Sequence, residues 1–175
     1  MLMDCHTHLD SFSDIEIESI LDRAKQSGIN IVINAGTTIK SSSRSVDLTS
    51  KFPGIFAGVG IHPMDLTTTV DEHIYSQLKT LGTSTDKVVV ISEIGLDFME
   101  GMPDRSDQYQ AFRAQIRLAR ELGLPIVFHS RHAHEETLKV LREERAYEVG
   151  GAMHYFQSNL DIGLKAIDLG FLVSL

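Results

Sequence analysis

The 175-residue sequence is poor in several residue types that would place it in a special structural class. It has a single cysteine, Cys5, so no disulfide can form within the chain, which agrees with a reducing compartment. It has only 4 prolines and no tryptophan, and its 13 glycines show no regular period, which excludes collagen-like and proline-rich chains. With 42% hydrophobic and 23% charged residues, the sequence predicts one ordinary folded unit.

Long apolar runs and an excess of basic residues are also missing. No run approaches the ~20 apolar residues that span a bilayer, and Asp4 stands close to the start, where a signal peptide would be apolar. We therefore expect a cytoplasmic protein without a membrane partner. The net charge of -8 argues against a protein that coats long nucleic acid. It does not exclude an enzyme that takes one end of a strand, because bound divalent ions attract phosphate locally.

Short apolar runs alternate with longer stretches of helical period along the whole sequence, which is typical of βαβ units around a parallel sheet. The runs predict seven strands, near residues 2–8, 29–35, 55–61, 88–94, 124–129, 151–154 and 171–175. The stretches between them predict six helices, near residues 15–26, 41–51, 70–81, 107–122, 133–145 and 160–169. Several helices should end at a left-handed glycine, at Gly28, Gly82, Gly123 and Gly170.

The candidate functional residues follow the ends of five different strands. Such convergence favours the mouth of a closed barrel over the single crevice of an open doubly wound sheet. Eight βα units typically need ~250 residues. We therefore expect an α/β fold, a parallel (β/α)8 TIM-type barrel with about seven of its eight strands in this sequence. Residues 1–175 would form a single barrel domain that is incomplete at its C-terminal end.

The strongest local signal is the segment DCHTHLD at residues 4–10. Side chains alternate along a strand, so His6 and His8 should point to one face, and Cys5 and Thr7 to the other. Two imidazoles at a strand end can chelate one divalent ion. A bare His-x-His pair is more often a surface or core pair, so the prediction depends on partners elsewhere. Cys5 is expected to be a small buried apolar group.

Three further residues supply those partners. Glu93 follows a continuously apolar run, and a carboxylate that emerges from such a strand needs a compensating charge or ion. His129 and His154 end the next two runs. Each of them alone is more simply a satisfied core or rim residue, but together with His6 and His8 they predict one metal site. A set of imidazoles with one carboxylate suits zinc, manganese, iron or nickel better than it suits magnesium or calcium, which prefer a cage of oxygen ligands.

Five segments in this order and spacing resemble the TatD family of metal-dependent deoxyribonucleases, within the amidohydrolase-like barrels. They are DCHTHLD at 4–10, GVGIHPMD at 58–65, VVVISEIGLDF at 88–98, QYQAFRAQIRLARELGLPIVFHSRHA at 108–133 and HYF at 154–156. The resemblance implies that His6 and His8 bind one metal, that Glu93 bridges two metals, and that His129 and His154 bind the second. It thus implies one or two divalent ions as cofactors: Zn, Mn, Mg, Ni or Fe.

The sequence departs from the family pattern at four places. The remaining family ligand, an aspartate after the eighth strand that is also the expected general base, would fall beyond the 175 residues. Ser92 stands where a glycine usually precedes the bridging glutamate. Tyr155 stands where a cysteine usually follows the last histidine, and Gln157 and Ser158 replace a small residue further on in that motif. The substitutions are expected to reshape the pocket without removing a metal ligand.

Other residues carry weaker predictions. Arg131 lies two positions beyond His129 and can hold a substrate phosphate with a bidentate fork, although a solvated loop arginine is an equal alternative. His62 resembles a family pocket residue that contacts substrate. Asp10 and Asp97 are expected to orient imidazoles or to fix turns. His132 and His134 are expected at the surface.

The resemblance implies hydrolysis of a phosphodiester by metal-activated water, with Glu93 as the catalytic bridging residue and DNA ends or a small phosphodiester as substrate. Two alternatives remain open. One is hydrolysis of C–N or carboxylic ester bonds, although many barrels of that kind have a carboxylated lysine where this sequence has Glu93. The other is a catalytically silent binding protein, which becomes the better hypothesis if the chain truly ends at Leu175.

Overall fold

The computed structural model describes residues 2–174, which form seven strands and six α-helices in strict alternation. The strands are β1 (Leu2–Thr7), β2 (Ile29–Ala35), β3 (Ile55–Val59), β4 (Val88–Asp97), β5 (Ile126–Arg131), β6 (Gly151–Met153) and β7 (Phe171–Val173). The helices are α1 (Asp14–Gln26), α2 (Ile39–Lys51), α3 (Glu72–Gly82), α4 (Arg105–Leu122), α5 (His134–Glu143) and α6 (Leu160–Asp168). Each strand pairs in parallel with the next one along the chain.

The sheet curls as part of a βα barrel, and an open flat sheet is excluded. In a flat sheet, β1 and β6 would lie about 24 Å apart, because neighbouring strands are spaced by about 4.8 Å. The rings of His6 on β1 and His154 after β6 nevertheless stack with their centroids 3.6 Å apart. Two short imidazoles cannot bridge the flat-sheet distance, so the strand ends must meet around a common axis. This confirms the predicted barrel-type fold.

All seven predicted strands and all six predicted helices are present, with differences at their ends. β4 continues to Asp97, three residues beyond the predicted end, and α4 begins at Arg105. The glycine predictions hold at Gly28, Gly123 and Gly170, which have positive φ angles. Gly82 is a correction: it is the last residue of α3, and a Cβ there would lie 2.6 Å from Cδ1 of Leu122. Its small size therefore serves helix packing and not a left-handed turn.

The main core lies between the sheet and the helices that cover it. Along β5, Ile126 and Phe128 are fully buried against the helices, while Val127 faces the inside of the curl. Burial of each large apolar side chain contributes roughly 2–3 kcal/mol. A second, smaller cluster packs under α1 and α2 and includes Ile17 and Leu48. The helix side of the sheet is thus a packed layer that holds the strand ends in place.

The inner side of the curl is an apolar trough. It is lined by side chains from all the strands, among them Met3, Ile33, Val127 and Leu172. Cys5 lies on this face and is exposed, so the expectation that it is buried is wrong. The pairing of β1 with β2 is irregular between Asp4 and Thr7. Across residues 2–174, no helix combines the length and the apolar content that crossing a bilayer requires.

Candidate metal centre

The carboxyl ends of the strands bring the predicted ligands together. His6 lies near the end of β1, His129 lies in β5, and His154 directly follows β6. Glu93 projects from β4 among them and is only 5% exposed. The close approach of β4 to β5 requires a glycine, because a Cβ on Gly95 would lie 2.0 Å from the carbonyl oxygen of His129.

The two oxygens of the Glu93 carboxylate face two different sets of imidazoles. Oε2 lies 3.3 Å from Nε2 of His6 and 3.9 Å from Nε2 of His8. Oε1 lies 3.6 Å from Nδ1 of His129 and 3.7 Å from Nε2 of His62. Each set, together with Glu93, is compact enough to hold one cation. One carboxylate thus lies between two sets of imidazoles, with one set at each of its oxygens.

The residues of the first set fit a divalent metal. Nε2 of His6 lies 3.2 Å from Nε2 of His8 and 3.3 Å from Oε2 of Glu93. Zinc–ligand distances of 2.0–2.1 Å in a tetrahedron place neighbouring ligand atoms about 3.3 Å apart, so these separations match the edges of such a site. Nδ1 of His6 is buried and has no hydrogen-bond partner among the described residues.

Glu93 is ionised despite its burial. Removal from water raises the pKa of a carboxyl group, but the neighbouring imidazoles of His129 and His6 outweigh this effect. They hold the pKa of Glu93 well below its ordinary value. A buried, unprotonated carboxylate surrounded by imidazoles supplies the negative charge that a divalent ion needs.

His62 belongs to the second set by position, but its hydrogen bonding indicates a different role from metal binding. Its Nδ1 accepts a hydrogen bond of 3.1 Å from the backbone N–H of Met64. Burial lowers the pKa of His62 to about 4, so the ring is neutral. A neutral ring whose Nδ1 is an acceptor carries its proton on Nε2. The group that faces Glu93 is therefore a hydrogen-bond donor.

His154 is brought to the site but not into either compact set. Its ring lies parallel to the ring of His6, with an interplanar angle of 21°. Burial lowers its pKa, and the nearby His6 adds to this effect. The structure therefore places His154 beside His6, and its predicted role as a ligand on the side of His129 stays a prediction.

Asp97 links His129 to Arg131. One of its oxygens, Oδ2, accepts hydrogen bonds from Nε2 of His129 at 2.9 Å and from Nε of Arg131 at 2.8 Å. Asp97 is fully buried, and burial alone would raise its pKa, but Arg131, the backbone N–H of Met99 and His129 together lower it. Because Asp97 occupies Nε2 of His129, the ring presents Nδ1 to Glu93.

Part of the Arg131 guanidinium is therefore used for contacts within the protein. Its Nε and one terminal nitrogen point at Asp97, and the same terminal nitrogen lies 3.4 Å from Sδ of Met64. The side chain is 39% exposed, so the remaining guanidinium edge can reach a ligand. The alternative of a freely solvated loop arginine does not fit these contacts.

Three buried amides position the site, and sequence reasoning missed them. Gln108 bonds the backbone N–H and C=O of Asp97, and Gln115 bonds those of Ile61, next to His62. Both glutamines lie on α4, seven residues apart and hence on one face. Asn34 on β2 accepts a hydrogen bond from the N–H of Leu9 and donates to Oγ of Ser45. Of the three, only Asn34 had a signal in the sequence, as a polar residue within the mostly apolar run of β2.

Ser92 is accommodated by a neighbouring glycine. Its side chain is buried, and its hydroxyl has no hydrogen-bond partner within residues 2–174. A Cβ on Gly58 of β3 would lie 2.0 Å from this hydroxyl. The serine before Glu93 therefore fits because the adjacent strand leaves room for it.

The sequence matches known proteins along nearly the whole chain. A family model described as TatD related DNase matches residues 3–175. The metal-dependent hydrolase YabD of Bacillus subtilis is 33% identical over 175 residues, which cover 99% of this chain and 68% of YabD. The 3'-5' ssDNA/RNA exonuclease TatD of Cronobacter turicensis is 32% identical over 143 residues, 82% of this chain and 54% of that protein.

The fold of a solved structure also matches. YJJV, a TatD homologue from Escherichia coli K12, superposes with a TM-score of 0.88 at 26% sequence identity. The match covers 98% of this chain and 66% of YJJV. The chain thus spans about two thirds of the length of YabD and YJJV, and the matched part is about half of the Cronobacter exonuclease. By its sequence and by its fold, the chain belongs to the TatD-related DNase family of metal-dependent hydrolases.

Proposed function

We propose that the protein hydrolyses phosphodiester bonds at an end of a single-stranded nucleic acid, with divalent metal held around Glu93. The observation that carries the proposal is the position of Glu93 between two sets of imidazoles, one at each carboxylate oxygen. The name of the Cronobacter relative, an exonuclease for ssDNA and RNA, supports the choice of substrate.

The chain supplies distinct groups for this chemistry. His6, His8, Glu93 and His129 would hold the metal, and His154 would join them when its ring turns away from His6. Metal ions in such sites lower the pKa of water and stabilise negative charge on phosphoryl oxygens. His62 would donate from Nε2 to an oxygen of the substrate, since its Nδ1 is occupied by Met64. Cytoplasmic location and DNA ends as the natural substrate stay predictions.

Arg131 would hold a phosphate through the guanidinium edge that Asp97 leaves free. Asp97 would act as a positioning residue, because the same oxygen fixes His129 and Arg131. Substitution of His129 or Arg131 should therefore alter the position of the other side chain through Asp97.

The proposal is tested by incubating the protein with a single-stranded oligonucleotide that is labelled at either end, with Mn²⁺, Zn²⁺ or Mg²⁺ supplied. We expect stepwise shortening from one end, its loss on chelation, and no shortening by Glu93→Gln, which should fold normally. Wild-type rates in Glu93→Gln would exclude Glu93 as the shared ligand.

A parallel assay addresses the first alternative. p-Nitrophenyl acetate tests for carboxylic ester hydrolysis, and a dipeptide amide tests for C–N hydrolysis, under the same metal conditions. Metal-dependent turnover of either compound without cleavage of the oligonucleotide would overturn the proposal.

A further inference from the structure

A polar cavity adjoins the metal centre, on the side of β5 and β6. It holds about 240 Å³ and is lined by His129 itself and by Ser130, Arg131, His132, His134, Tyr155 and Gln157. His129 is thus shared between the cavity and the metal centre. A ligand whose reacting group lies at Glu93 would extend into this cavity.

The lining of the cavity is suited to an anion. It contains a guanidinium and three imidazoles, and none of its residues is acidic. The chain as a whole has 24 acidic against 16 basic residues, so the basic groups of this lining differ in sign from the net charge of the protein. Burial and the neighbouring His132 lower the pKa of His134, and Glu136, which opposes this effect, does not line the cavity. The guanidinium edge of Arg131 that Asp97 leaves free, together with imidazoles that can form hydrogen bonds, therefore favours a phosphate group.

The local backbone presents these side chains. His132 and Tyr155, one on each side of the cavity, have φ angles of 54° and 47°, a region that residues with a Cβ rarely occupy. Such conformations persist where the surrounding structure imposes them, and they are frequent at ligand sites. Oγ of Ser130 bonds to Nδ1 of His134 and to Oγ1 of Thr137, which fixes the wall of the cavity.

Tyr155 adds an apolar surface at the mouth of the cavity. Its side chain is exposed, and the residue retains 61% of its accessible surface. An exposed aromatic ring next to a phosphate-binding group is the combination that binds single-stranded nucleic acid, because each base stacks while the backbone is neutralised. Stacking of one base contributes about 1–3 kcal/mol.

We propose that this cavity binds the phosphate of the nucleotide next to the scissile bond, with the base of that nucleotide stacked on Tyr155. The inference rests on the proposed nucleic-acid hydrolysis and adds the residues that would distinguish a strand from a small phosphodiester. His134 and Arg131 contact the flanking phosphate, and Tyr155 contacts the base.

The test compares kcat/KM for a ten-nucleotide oligothymidylate with that for bis(p-nitrophenyl) phosphate, which has no flanking nucleotide. Tyr155→Asn removes the ring and keeps a residue that tolerates positive φ. His134→Gln removes the imidazole. Each should lower the ratio of the two kcat/KM values by about tenfold, mainly through KM for the oligonucleotide. The control Tyr147→Asn changes an exposed tyrosine outside this cavity and should leave the ratio as in the wild type.

An oligonucleotide with an abasic residue next to its terminal nucleotide separates the two contacts. With this abasic oligonucleotide, Tyr155→Asn should cause no further loss of kcat/KM, whereas His134→Gln should still raise KM. An unchanged ratio in both variants on the normal oligonucleotide would overturn the inference. Thermal unfolding of each variant establishes that it is folded.

Direct binding keeps the inference separate from the proposed function. If the wild type hydrolyses neither substrate, the proposed function fails, and fluorescence anisotropy with labelled oligothymidylate still tests the cavity. Weaker binding by Tyr155→Asn and His134→Gln than by Tyr147→Asn would support it. Equal affinity of all three variants, or no binding by the wild type, would overturn it.

Discussion

At the scale of single residues, the site depends on which atom of each side chain is already occupied. Nδ1 of His62 is occupied by Met64, and Nε2 of His129 is occupied by Asp97, so the two rings differ in what they can offer near Oε1 of Glu93. His129 presents a nitrogen for metal, and His62 presents a proton. This difference cannot be seen in the sequence, where both are histidines that follow strands.

Asp97→Asn should weaken metal binding by about 10–100-fold without unfolding the protein, because the carboxylate that orients His129 is lost. The neighbouring Arg131 is partly exposed and can be solvated when its partner is neutral. The measurement is competition for zinc with a chelating dye. Asp86→Asn, an exposed aspartate that precedes β4 at the opposite end of that strand from Asp97, is the control. A dissociation constant equal to that of the wild type would show that Asp97 does not position His129.

Arg131→Ala should lower the preference for an oligonucleotide over bis(p-nitrophenyl) phosphate, because the fork that holds a phosphate is removed. Arg131→Lys should restore only part of that preference, since an ammonium group cannot contact Asp97 and a phosphate in the same planar arrangement. Steady-state kinetics on both substrates measures the effect. An equal loss on the two substrates would argue against a phosphate-binding role.

At the scale of elements, the sequence predicts the strands and helices well because each has its own apolar period. His6, His8, Glu93 and His129 could be predicted as a group, since parallel strands end at one edge of the sheet. The hydrogen bonds from Gln108 and Gln115 to the backbone of Asp97 and Ile61 could not be predicted. A glutamine on an amphipathic helix looks solvent-exposed until its backbone partner is known. The stacking of His154 on His6 depends on the curvature of the whole sheet.

The same limit applies to the ends of elements. β4 runs on to Asp97 because its pairing with β5 continues as far as Arg131, which local sequence does not reveal. Cys5 is exposed because it lines the open trough on the same face of β1 as Met3. The local sequence thus predicts that a strand is present, whereas pairing with neighbouring strands determines the residue at which it ends.

An ion-pair cluster joins α4 to the end of α5 and gives a pH-dependent contribution to stability. Arg117 and Arg113 bond the nearly buried carboxylate of Glu144, and the bond from Arg117 is the main cause that lowers its pKa below the ordinary value of 4.5. A carboxyl whose pKa is lowered on folding stabilises the protein above its unfolded pKa and loses this effect as the pH falls through the folded pKa.

Glu144→Gln should therefore reduce the free energy of unfolding by about 1–2 kcal/mol near neutral pH, and by progressively less below pH 4.5. Urea unfolding at several pH values measures the difference. Glu143→Gln changes a more exposed partner of Arg113 and should cost clearly less stability than Glu144→Gln, because solvent screens an exposed ion pair. A loss for Glu144→Gln that does not depend on pH would contradict the assignment.

At the scale of the whole molecule, the curled sheet has a packed outer side and an apolar inner trough. Within residues 2–174, β1 and β7 each pair on one side only, and Leu172 of β7 is 73% exposed. Exposed apolar edge strands promote association between chains. A polypeptide of residues 1–175 should therefore self-associate, which light scattering over a range of concentrations would detect. A stable monomer at every concentration would contradict this expectation.

Above all, we propose that Glu93 is the metal ligand that lies between the two sets of imidazoles. Zinc titration of the wild type, Glu93→Gln and the exposed control His73→Gln tests it most directly. We predict that Glu93→Gln weakens zinc binding by about tenfold or more, while its far-ultraviolet circular dichroism and its unfolding midpoint stay close to those of the wild type. Zinc affinity in Glu93→Gln equal to that of the wild type and of His73→Gln would contradict the claim.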